Sequence, residues 1–413
     1  MSDKPHILYV GAVLPKRSET FVYREVLGLR ERGVQVSVAS VHPPERGLND
    51  PQLQALADEA VPIYGSGLGD KLTLIRQAIG HRLLRVPMGI FETTPVYWPK
   101  YLVQCDAGYA LAHRLNDRGI THVHAHMAHV PTTVAMHTAE ALGVPFSFTG
   151  HAADLFRDRS ALRTKLRRAA FVACISHWHR DFYNELVPRP DSAYPVVRCG
   201  VDVQQFKPDD AGERNGLLTV GRLVRKKGFD LLIDAMAKLD QHTTLAIVGD
   251  GPERDALQQQ IDRLGLGDRV ALVGAKANHQ VRAMMQRAEA FVLPCRVAED
   301  GDRDGIPVVL MEAMASGLAV VSGDLPTIRE LVEHGRTGLM VEPGDVEALA
   351  VAMDRLASDP PLVAQLAAAG RQRVVDEFSQ SVNLSRLIAA FKKGAVPVKS
   401  GGRPRFGREA VEG

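Results

Sequence analysis

The strongest constraint on the fold is a regular alternation of short apolar runs with helical segments. The run ILYVGAV is followed by ETFVYREVLGLRERG, in which Phe21, Val26 and Leu29 share one helical face, and then by VQVSVAS. Strands that alternate with helices form parallel sheets, because each helix carries the chain back to the same end of the sheet. The pattern therefore predicts a doubly wound α/β domain with a mostly parallel sheet.

The same alternation starts again after Pro208, which predicts a second α/β domain. Strand candidates in the first half continue with VHAHMA, PFSFTG, FVACIS and YPVVRCG. The second half offers GLLTVGRL, TLAIVGDG, VALVG, AFVLP, AVVS and GLMVEP. We expect a first domain at residues 1–200, a second at 201–378, a last helix at 379–395 and a disordered tail at 396–413.

Composition limits the class of protein. The chain has 413 residues, of which 45% are hydrophobic and 24% are charged, as is typical of soluble globular proteins. Its net charge of +2 gives no reason to expect a nucleic-acid partner, and no apolar run is long enough for a membrane span. The four cysteines lie far apart, so the sequence predicts neither a zinc site nor a disulfide framework. Without a recognisable secretory signal, a cytoplasmic location is expected.

The stretch VGRLVRKKG at residues 220–228 joins a predicted strand to a predicted helix. Gly221 ends the strand, and the cations Arg222, Arg225, Lys226 and Lys227 precede the helix. A helix N-terminus beside cations binds phosphate groups, because backbone N–H groups and positive side chains meet the anion together. Taken alone, the residues leave a solvated basic turn as an equal alternative.

A second glycine turn, VGDGPER at residues 248–254, also joins a strand to a helix. Gly249 and Gly251 have no side chain, so a ligand can approach the backbone closely there. The spacing does not match G-x-G-x-x-G, and no acidic residue follows where a nicotinamide cofactor's ribose would need it. The stretch is typical either of a turn beside a ligand or of a plain tight turn.

The acidic stretch DGDRDGIPVVLMEAM at residues 300–314 begins like a calcium loop. Asp300, Asp302, Asp304 and Gly305 occupy the first conserved positions of an EF-hand loop. The position that requires a bidentate glutamate falls on Met311, which cannot bind a hard cation. The calcium interpretation is therefore disfavoured against a loop that leads into a helix.

The helix expected after this loop separates two carboxylates. Pro307 suits the first turn of a helix, which leaves Asp304 at a strand end and Glu312 on the helix. Eight helical residues would separate their Cα atoms by about 12 Å along the axis. Glycoside hydrolases hold their two carboxyl groups roughly 5–9.5 Å apart, so two separate tasks along one ligand fit better.

These stretches together resemble a known family. VGRLVRKKGFDLLIDA, AIVGDGPER and DGIPVVLMEAMASGLAVV are similar to the donor-binding half of retaining glycosyltransferases of family four, which have the GT-B fold. The last stretch corresponds to the family's E-x(7)-E motif, although Asp304 replaces its first glutamate with a carboxylate one methylene shorter. The resemblance implies two Rossmann-like domains that face a central cleft, with the last helix returning to the first domain.

The resemblance also implies roles for individual residues. Arg222 and Lys227 match the cations that hold the nucleotide diphosphate, Asp304 matches the carboxylate that contacts the donor sugar, and Glu312 matches the one that binds ribose. The implied donor site further includes Gly221, Gly249, Gly305, Ile306 and Pro307. His151, in FTGHAADLF, matches the active-site histidine of the family, so the expected catalytic set is His151, Asp304, Arg222 and Lys227.

The first half of the chain carries the expected acceptor side. LPKRSETF at residues 14–21 resembles the acceptor-side segment of exopolysaccharide and colanic-acid members, which implies that Ser18, Glu19 and Thr20 face the acceptor. We expect His126, in HVHAHMAH, to line the cleft beside them. The histidines of that run would share one strand face, which suggests a metal. No carboxylate or cysteine cluster in the sequence completes such a site, so we predict none.

The resulting hypothesis is a retaining, metal-independent hexosyltransferase of exopolysaccharide, lipopolysaccharide or glycolipid synthesis. It uses a nucleoside-diphosphate sugar as co-substrate, needs no cofactor, and transfers the hexose to a hydroxyl of a sugar or lipid-linked sugar. A sugar-nucleotide epimerase on the same fold and a non-enzymatic, two-lobed sugar-binding protein stay open as alternatives. The sequence does not identify the base, the sugar or the acceptor.

Residues 65–105 fit neither domain pattern and are predicted to form a helical insertion. Cations and aromatic residues mix in this insertion, and RTKLRRAAF at residues 163–171 adds Arg163, Lys165, Arg167 and Arg168. Such a surface suits an anionic membrane, which predicts a peripheral location at the inner face of the plasma membrane. The alternative is that the apolar residues pack on the sheet and the cations are solvated.

Overall fold

The computed structural model describes residues 5–16, 19–47, 50–64, 87–151, 160–209 and 214–394. Within these residues, twelve strands form two parallel six-stranded sheets. The first sheet contains β1 His6–Gly11, β2 Gln35–Ser40, β3 Val61–Pro62, β4 His122–His126, β5 Phe146–Gly150 and β6 Phe171–Cys174. The second contains β7 Leu217–Val220, β8 Leu245–Val248, β9 Val270–Gly274, β10 Ala290–Leu293, β11 Ala319–Gly323 and β12 Leu339–Val341.

Both sheets are doubly wound. The first has the order β3-β2-β1-β4-β5-β6 and the second has the order β12-β11-β10-β7-β8-β9. The direction of winding therefore reverses between β1 and β4 in one sheet and between β7 and β10 in the other. In such sheets, ligands bind outside the carboxyl ends of the strands that flank the reversal. The predicted architecture of two Rossmann-like domains is confirmed, and the topology marks two crevices.

Helices cover the faces of both sheets. Those of the described residues are α1 Thr20–Glu31, α2 Pro51–Glu59, α3 Trp98–Leu115, α4 Val130–Leu142, α5 Leu162–Arg168, α6 His177–Leu186, α7 Phe229–Met236, α8 Arg254–Arg263, α9 Asn278–Arg287, α10 Val308–Ala315, α11 Val346–Ser358, α12 Pro360–Arg373 and α13 Gln380–Gly394. Helix α1 buries Val22, Val26 and Leu29, which lie on one face because an α-helix repeats every 3.6 residues.

One predicted strand is wrong. The stretch YPVVRCG forms only an isolated bridge, between Cys174 and Val196. Its Tyr194 and Val197 are buried against the first sheet, so packing rather than strand pairing accounts for its apolar pattern. Pro195 has no N–H to donate, and only its carbonyl takes part, accepting from the Cys174 amide at 2.9 Å.

The expected insertion is described only from residue 87, since residues 65–86 lie outside the described ranges, as does the expected tail. The chain makes 3-10 turns at Ile90–Glu92 and Pro95–Tyr97 and then enters α3. The predicted end of the insertion at residue 105 falls inside this helix, which packs along α4. Gly108 allows that approach, because a Cβ there would lie 2.6 Å from the Val134 carbonyl oxygen.

The chain passes between the domains at two adjacent points. The Val201 amide donates to the Phe378 carbonyl at 3.0 Å, and the Gln380 amide donates to the Val201 carbonyl at 2.9 Å. Gly200 lies so close to this crossing that a Cβ would be 2.5 Å from the Gln380 Cα. A side chain there would have to displace backbone, so glycine is required.

Helix α13 packs in the first domain although it follows the second in sequence. Its residues Leu384, Leu387 and Phe391 share a buried cluster with residues of β1 and α1. The Gln380 side-chain amide also donates to the Arg24 carbonyl in α1 at 2.8 Å. The last helix therefore holds the first domain against the end of the second.

Glu330 of the second domain contacts the first domain at the start of α6. Its carboxylate accepts hydrogen bonds from the His177 and Trp178 amides, both at 2.9 Å. It also pairs with the buried Arg198 guanidinium at 3.0 Å. Amide groups at a helix N-terminus have no partner within the helix, so a carboxylate from the other domain stabilises α6 and the domain contact together.

Candidate functional site

The crevice of the second domain brings together two residues that the sequence places 77 positions apart. Lys227 ends the 3-10 turn Arg225–Lys227 that follows β7, and Asp304 lies in the loop that follows β10. The Lys227 Nζ is 2.7 Å from the Asp304 Oδ2, and the Lys226 Nζ is 3.3 Å from the Asp304 Oδ1. A cationic loop and an acidic loop therefore meet where the winding of the sheet reverses.

Burial and charge act in opposite directions on this pair. Burial would raise the pKa of the Asp304 carboxyl, but Lys227 and Lys226 outweigh it and hold the pKa below its usual value. Burial would lower the pKa of the Lys227 ammonium, but Asp304 holds it above its usual value. Both groups are therefore charged at neutral pH. Burial, together with the Asp304 charge, raises the pKa of the neighbouring Cys295 thiol, which stays protonated and donates to Asp304 at 3.5 Å.

Glycines let the strand-end loops approach each other. Gly249 has φ of 145°, and a Cβ there would lie 1.8 Å from the Gly221 carbonyl oxygen. At Gly228, which has φ of 70°, a Cβ would lie 2.2 Å from the Pro294 carbonyl oxygen. Both distances are far below van der Waals contact, so a side chain at either position would push the β7 loop away from its neighbours.

Arg222 differs from the two lysines. It is exposed and forms no ion pair with any carboxylate in the ranges that the structure covers. Of the four cations after β7, Arg225 pairs with Asp230 and Glu253, whereas Lys226 also reaches Asp302 at 3.2 Å. The Arg222 guanidinium is thus the cation of this loop that an incoming anion meets without breaking an ion pair.

The acidic loop leads directly into α10. Asp302 and Asp304 are paired with lysines, so two of the three aspartates of the disfavoured calcium-loop pattern are already neutralised. Gly305 and Ile306 are half-buried, and Pro307 directly precedes Val308, the first residue of α10. The Thr327 hydroxyl lies 3.2 Å from the carbonyl oxygens of Asp304 and Gly305 and so tethers the loop.

Glu312 lies on α10 and makes the contact that joins the two domains at the cleft. It is buried, and its Oε1 is 3.1 Å from the Nη1 of Arg24, which lies on α1 of the first domain. Burial raises the pKa of the Glu312 carboxyl, and Arg24 offsets only part of that rise. The carboxylate expected to bind ribose therefore holds an arginine of the other domain in this structure.

The crevice of the first domain contains a buried histidine pair. His126 ends β4, and His151 directly follows β5, which is its neighbour in the sheet. The His126 Nδ1 is 3.2 Å from the His151 Nε2, and the His126 Nε2 is 2.8 Å from the Glu25 Oε1. Burial, with His126 close by, lowers the pKa of His151 well below its usual value, so this imidazole is neutral.

The structure describes only some of the residues expected on the acceptor side. Glu19 precedes α1 and pairs with Lys16, and Thr20 is the first residue of that helix. Ser18 lies outside the described residues. His126, expected to line the cleft, is 2% exposed and has both ring nitrogens engaged.

Among the described residues, Glu25, His124 and His126 each place a potential metal-ligand atom within 4.8 Å of the others. Glu25 is the carboxylate that the sequence did not connect with the histidine run. The nitrogens of His124 are hydrogen-bonded to Ser147 at 2.8 Å and to Thr149 at 3.1 Å, and those of His126 to Glu25 and His151. A metal would have to displace these bonds.

Two residues of the regions predicted to contact a membrane are buried, whereas several of their apolar residues are exposed. Lys165 is buried, and its ammonium donates to the carbonyls of Ala128, His129 and Ser160. Ile90 is buried as well. Large apolar side chains of the same insertion are nevertheless exposed, namely Phe91, Val96, Tyr97 and Val103. No helix in the described residues is long and apolar enough to cross a bilayer.

Sequence reasoning missed several residues of the two crevices. Arg24 and Glu25 occupy polar positions of an amphipathic helix, where charge normally means solvent. Tyr9 lies in β1 and donates to the Glu25 carboxylate at 2.7 Å. The sequence indicates Lys226 only as part of a basic turn.

Comparison with known families identifies the chain. The family described as "Glycosyltransferase Family 4" matches residues 18–205, and the family described as "Glycosyl transferases group 1" matches residues 201–373. The two matches follow one another over both domains. The chain belongs to the family-four glycosyltransferases, as the motifs around Lys227 and Asp304 predicted.

Individual relatives agree with this assignment. The amylovoran biosynthesis glycosyltransferase AmsK of Erwinia amylovora is 36% identical over 210 residues, which cover 49% of this chain and 52% of that protein. A GDP-mannose-dependent alpha-(1-6)-phosphatidylinositol monomannoside mannosyltransferase of Mycolicibacterium smegmatis is 33% identical over 244 residues, covering 55% and 64%. The chain thus matches about half to two thirds of the length of these relatives.

A solved structure resembles the whole fold. The structure of Anabaena Alr3699/HepE in complex with UDP has a TM-score of 0.70 and covers 94% of this chain and 99% of that one. Its sequence is only 19% identical, so the likeness concerns the fold. The GT-B arrangement of two Rossmann-like domains is therefore present here.

Proposed function

We propose that the protein transfers a hexose from a nucleoside-diphosphate sugar to a hydroxyl acceptor with retention of anomeric configuration. The observation that carries the proposal is the contact between Lys227 and Asp304 at the switch point of the second sheet. It brings a cation suited to a diphosphate and a carboxylate suited to sugar hydroxyls to one end of a crevice. The family's E-x(7)-E spacing, kept here as Asp304 and Glu312, supports retention.

The reaction would require the site to stabilise a leaving nucleoside diphosphate. Negative charge grows on the phosphate oxygen as its bond to the sugar breaks, and fixed cations stabilise that charge most effectively where water is excluded. Arg222 offers a planar guanidinium with several donors, and Lys227 offers a compact ammonium. A donor phosphate would have to share Lys227 with Asp304. The Asp304 carboxylate could then accept hydrogen bonds from the sugar hydroxyls.

We further propose that the site works without a divalent metal. The diphosphate charge is met by the arginine and lysines of the β7 loop. Asp302 and Asp304 of the acidic loop form three ion pairs with Lys226 and Lys227, and a metal bound to both carboxylates would have to displace them. Turnover that persists in excess EDTA is the expected result, whereas loss in EDTA and recovery with magnesium or calcium would contradict it.

The acceptor is proposed to be a lipid-linked sugar presented at an anionic membrane. Phe91 is 79% exposed and Val96 is 74% exposed, and large exposed apolar side chains are typical of a surface that meets another apolar surface. Arg167 of α5 pairs with Glu92 at 3.5 Å, so the cations of α5 and these apolar residues belong to one surface. The mannosyltransferase relative carries a phosphatidylinositol acceptor in its name, which agrees with this class of acceptor.

A polar pocket opens beside this surface. It has a volume of about 450 Å³, and its lining includes Tyr97, Lys100, Gln104 and His129. Tyr97 thus belongs to both the exposed apolar rim and the pocket. A sugar headgroup entering here would leave its lipid chain at the rim, which is why we assign the acceptor to this side of the first domain.

The transferase activity is tested with a panel of UDP-, GDP- and ADP-sugars, since the solved neighbour holds UDP and one relative is named for GDP-mannose. Release of nucleotide that depends on an added acceptor, with an α-linked product from an α-linked donor, is the expected result. Conversion of the donor without acceptor would indicate an epimerase. Binding of a sugar without turnover of any donor would indicate a binding protein.

Membrane contact is tested by flotation with liposomes. We expect binding to vesicles with anionic lipid that weakens as salt rises, because each cation near such a surface contributes about 1 kcal/mol. The variant Phe91→Ser should weaken co-flotation, whereas Val351→Ser, an exposed apolar change on α11 of the other domain, should not. A protein that stays unbound at low salt would contradict the proposed location.

A further inference from the structure

Arg296 lies near the start of the loop that joins β10 to α10, and it contacts the cationic turn after β7. Its backbone amide donates to the Lys226 carbonyl at 2.9 Å, and its side-chain Nε donates to the Arg225 carbonyl at 3.1 Å. Its Nη2 donates to both carboxylate oxygens of Asp230 in α7, at 2.9 and 2.7 Å. The loop that carries Asp304 therefore holds the backbone of the turn that carries the lysines.

The Arg225 carbonyl oxygen accepts two hydrogen bonds that join the cationic turn to its neighbour. The Gly228 amide donates to it at 3.1 Å, which closes the 3-10 turn Arg225–Lys227. The Arg296 Nε donates to the same oxygen, which can accept both bonds because a carbonyl oxygen has two lone pairs. The Arg296 side chain therefore helps to determine where the Lys227 side chain begins.

The charge of Arg296 is matched by a carboxylate of its own domain. Asp230 lies in the first turn of α7 and accepts both of its hydrogen bonds from one guanidinium nitrogen, and it also lies 3.3 Å from the Arg225 Nη1. A planar guanidinium has its donors in a fixed arrangement, so such contacts also fix its orientation. Arg296 differs in this from Arg222, which forms no ion pair among the described residues. We therefore expect Arg222 to meet a phosphate and Arg296 to hold the turn.

The two loops meet a second time through their side chains. The Lys227 Nζ lies 2.7 Å from the Asp304 Oδ2, and Asp304 belongs to the same loop as Arg296. A lysine ammonium stands at the end of a flexible four-carbon stem, so its position depends on where the backbone holds the stem. By contacting the backbone of the turn, Arg296 limits the positions that the Lys227 ammonium can occupy relative to Asp304.

We propose that Arg296 is a positioning residue, which fixes the 3-10 turn after β7 so that the Lys227 ammonium stays beside Asp304 in the donor crevice. Arg296 acts through the backbone of the turn and does not itself touch the donor. The inference rests on the proposed function in one respect, namely that Lys227 meets the leaving diphosphate. It adds to that function a residue whose effect on turnover depends on Lys227.

The first test is a double-variant cycle on kcat/KM for the donor, measured with the full chain. Arg296→Met should lower kcat/KM about 10–100-fold, because a misplacement of about 1 Å can cost about 10²-fold in rate. In the Lys227→Met background, the same substitution should change kcat/KM less than about threefold, because the residue through which Arg296 acts is absent. An equal loss in both backgrounds would show that Arg296 acts independently of Lys227 and would overturn the inference.

Arg269 provides a matched control, because it holds the other end of the same helix. Its guanidinium donates to the carbonyls of Met236, Leu239 and Asp240, at the carboxyl end of α7 and just beyond it. Like Arg296, it is half-buried. Arg269→Met should lower the Tm and leave the kcat/KM of the folded protein unchanged. A comparable loss of kcat/KM in both arginine variants would attribute the effect to α7 rather than to the turn, and would overturn the inference.

The variant Asp230→Ala keeps the inference testable if Arg296→Met does not fold. It removes the carboxylate that orients the guanidinium and leaves the cation in place. Positioning predicts a lower kcat/KM, because the Arg296 side chain can then leave the Arg225 carbonyl. An unchanged or higher kcat/KM would indicate that Arg296 acts as a cation on the donor, which would overturn the inference.

A measurement without turnover separates this inference from the proposed function. Urea unfolding of the parent, Lys227→Met, Asp304→Asn and the double variant gives the coupling between these two side chains. In the Arg296→Met background, we expect this coupling to fall below about half of its value in the parent background. An unchanged coupling would overturn the inference whatever the activity. A reduced coupling in a protein without transferase activity would retain the positioning role and refute the proposed function instead.

Discussion

The substitution Lys227→Met tests two roles of Lys227, namely its contribution to the free energy of unfolding and its contribution to turnover. In the parent protein, Lys227 lies 2.7 Å from Asp304, and both side chains are largely buried. Removing one partner of a buried ion pair leaves an uncompensated charge, which costs about 3–5 kcal/mol. Lys226 stays 3.3 Å from the other carboxylate oxygen, so we expect the low end of that range, about 3 kcal/mol of unfolding free energy.

The loss should depend on pH in a defined direction. Lysines hold the pKa of Asp304 below its usual value, so this carboxylate adds stability above the pKa of an unfolded aspartate, about 3.9, and loses it as pH falls. In Lys227→Met, one of the two cations that oppose the effect of burial on Asp304 is lost, so the pKa of the Asp304 carboxyl rises. The free-energy difference between parent and variant should therefore be full at neutral pH and shrink as pH falls through the raised pKa.

Urea denaturation between pH 8 and pH 4.5 measures this difference. Two further variants sharpen the test. Lys226→Met should cost less than Lys227→Met, because its contacts with Asp302 and Asp304 are longer. The double variant Lys227→Met/Asp304→Asn should be more stable than Lys227→Met alone, since it removes the uncompensated carboxylate.

Activity should follow a different pattern from stability. Lys227→Met and the double variant should both lose on the order of 10²-fold or more in turnover, because both lack the buried Lys227 ammonium that would stabilise the leaving group. Lys238→Met, a lysine that pairs with Glu347 on the surface, serves as the control and should keep full activity. Equal destabilisation by the two loop lysines, or a loss that does not vary with pH, would refute the electrostatic reasoning.

Three further substitutions address the donor side. Arg222→Ala should lower turnover on the order of 10²-fold while leaving the Tm nearly unchanged, since this exposed arginine has no ion pair in the described part of the chain; steady-state kinetics and thermal unfolding check both halves. Glu312→Gln should weaken calorimetric binding of the donor, because charge-assisted hydrogen bonds are about twice as strong as neutral ones, and equal affinity would remove the ribose role. Gly249→Ala should lower the Tm by several degrees, because its Cβ would lie 1.8 Å from the Gly221 oxygen, whereas Gly267→Ala has open space and should not.

The meeting of the cationic β7 loop and the acidic loop could be predicted from sequence because the residues of each loop are contiguous. The cations from Arg222 to Lys227 follow one strand directly, and the spacing of Asp304 and Glu312 is preserved within one loop and helix. Hydrophobic periodicity located the strands that carry these loops, since each is buried in the sheet. Residues that are neighbours in the sequence are also neighbours in space here.

Contacts across the fold could not be predicted in the same way. Arg24 and Glu312 are 288 positions apart and meet only because two domains pack together. Lys165 has the charge of a surface residue, yet it is buried because three backbone carbonyls accept its protons. YPVVRCG has the apolar character of a strand, but its buried side chains require no strand pairing. In each case tertiary packing decides what the local pattern leaves open.

Helix α1 connects the two crevices through consecutive residues. Arg24 reaches Glu312 in the second domain, and Glu25 reaches His126 in the first. Consecutive positions on a helix point about 100° apart, so neighbouring side chains can serve different partners. A ligand that takes the Glu312 carboxylate removes the partner of Arg24, and any movement of α1 that follows also moves Glu25. The crevices of the two domains are therefore linked by one helix, and α13, which packs on α1 and holds the Arg24 carbonyl, opposes that movement.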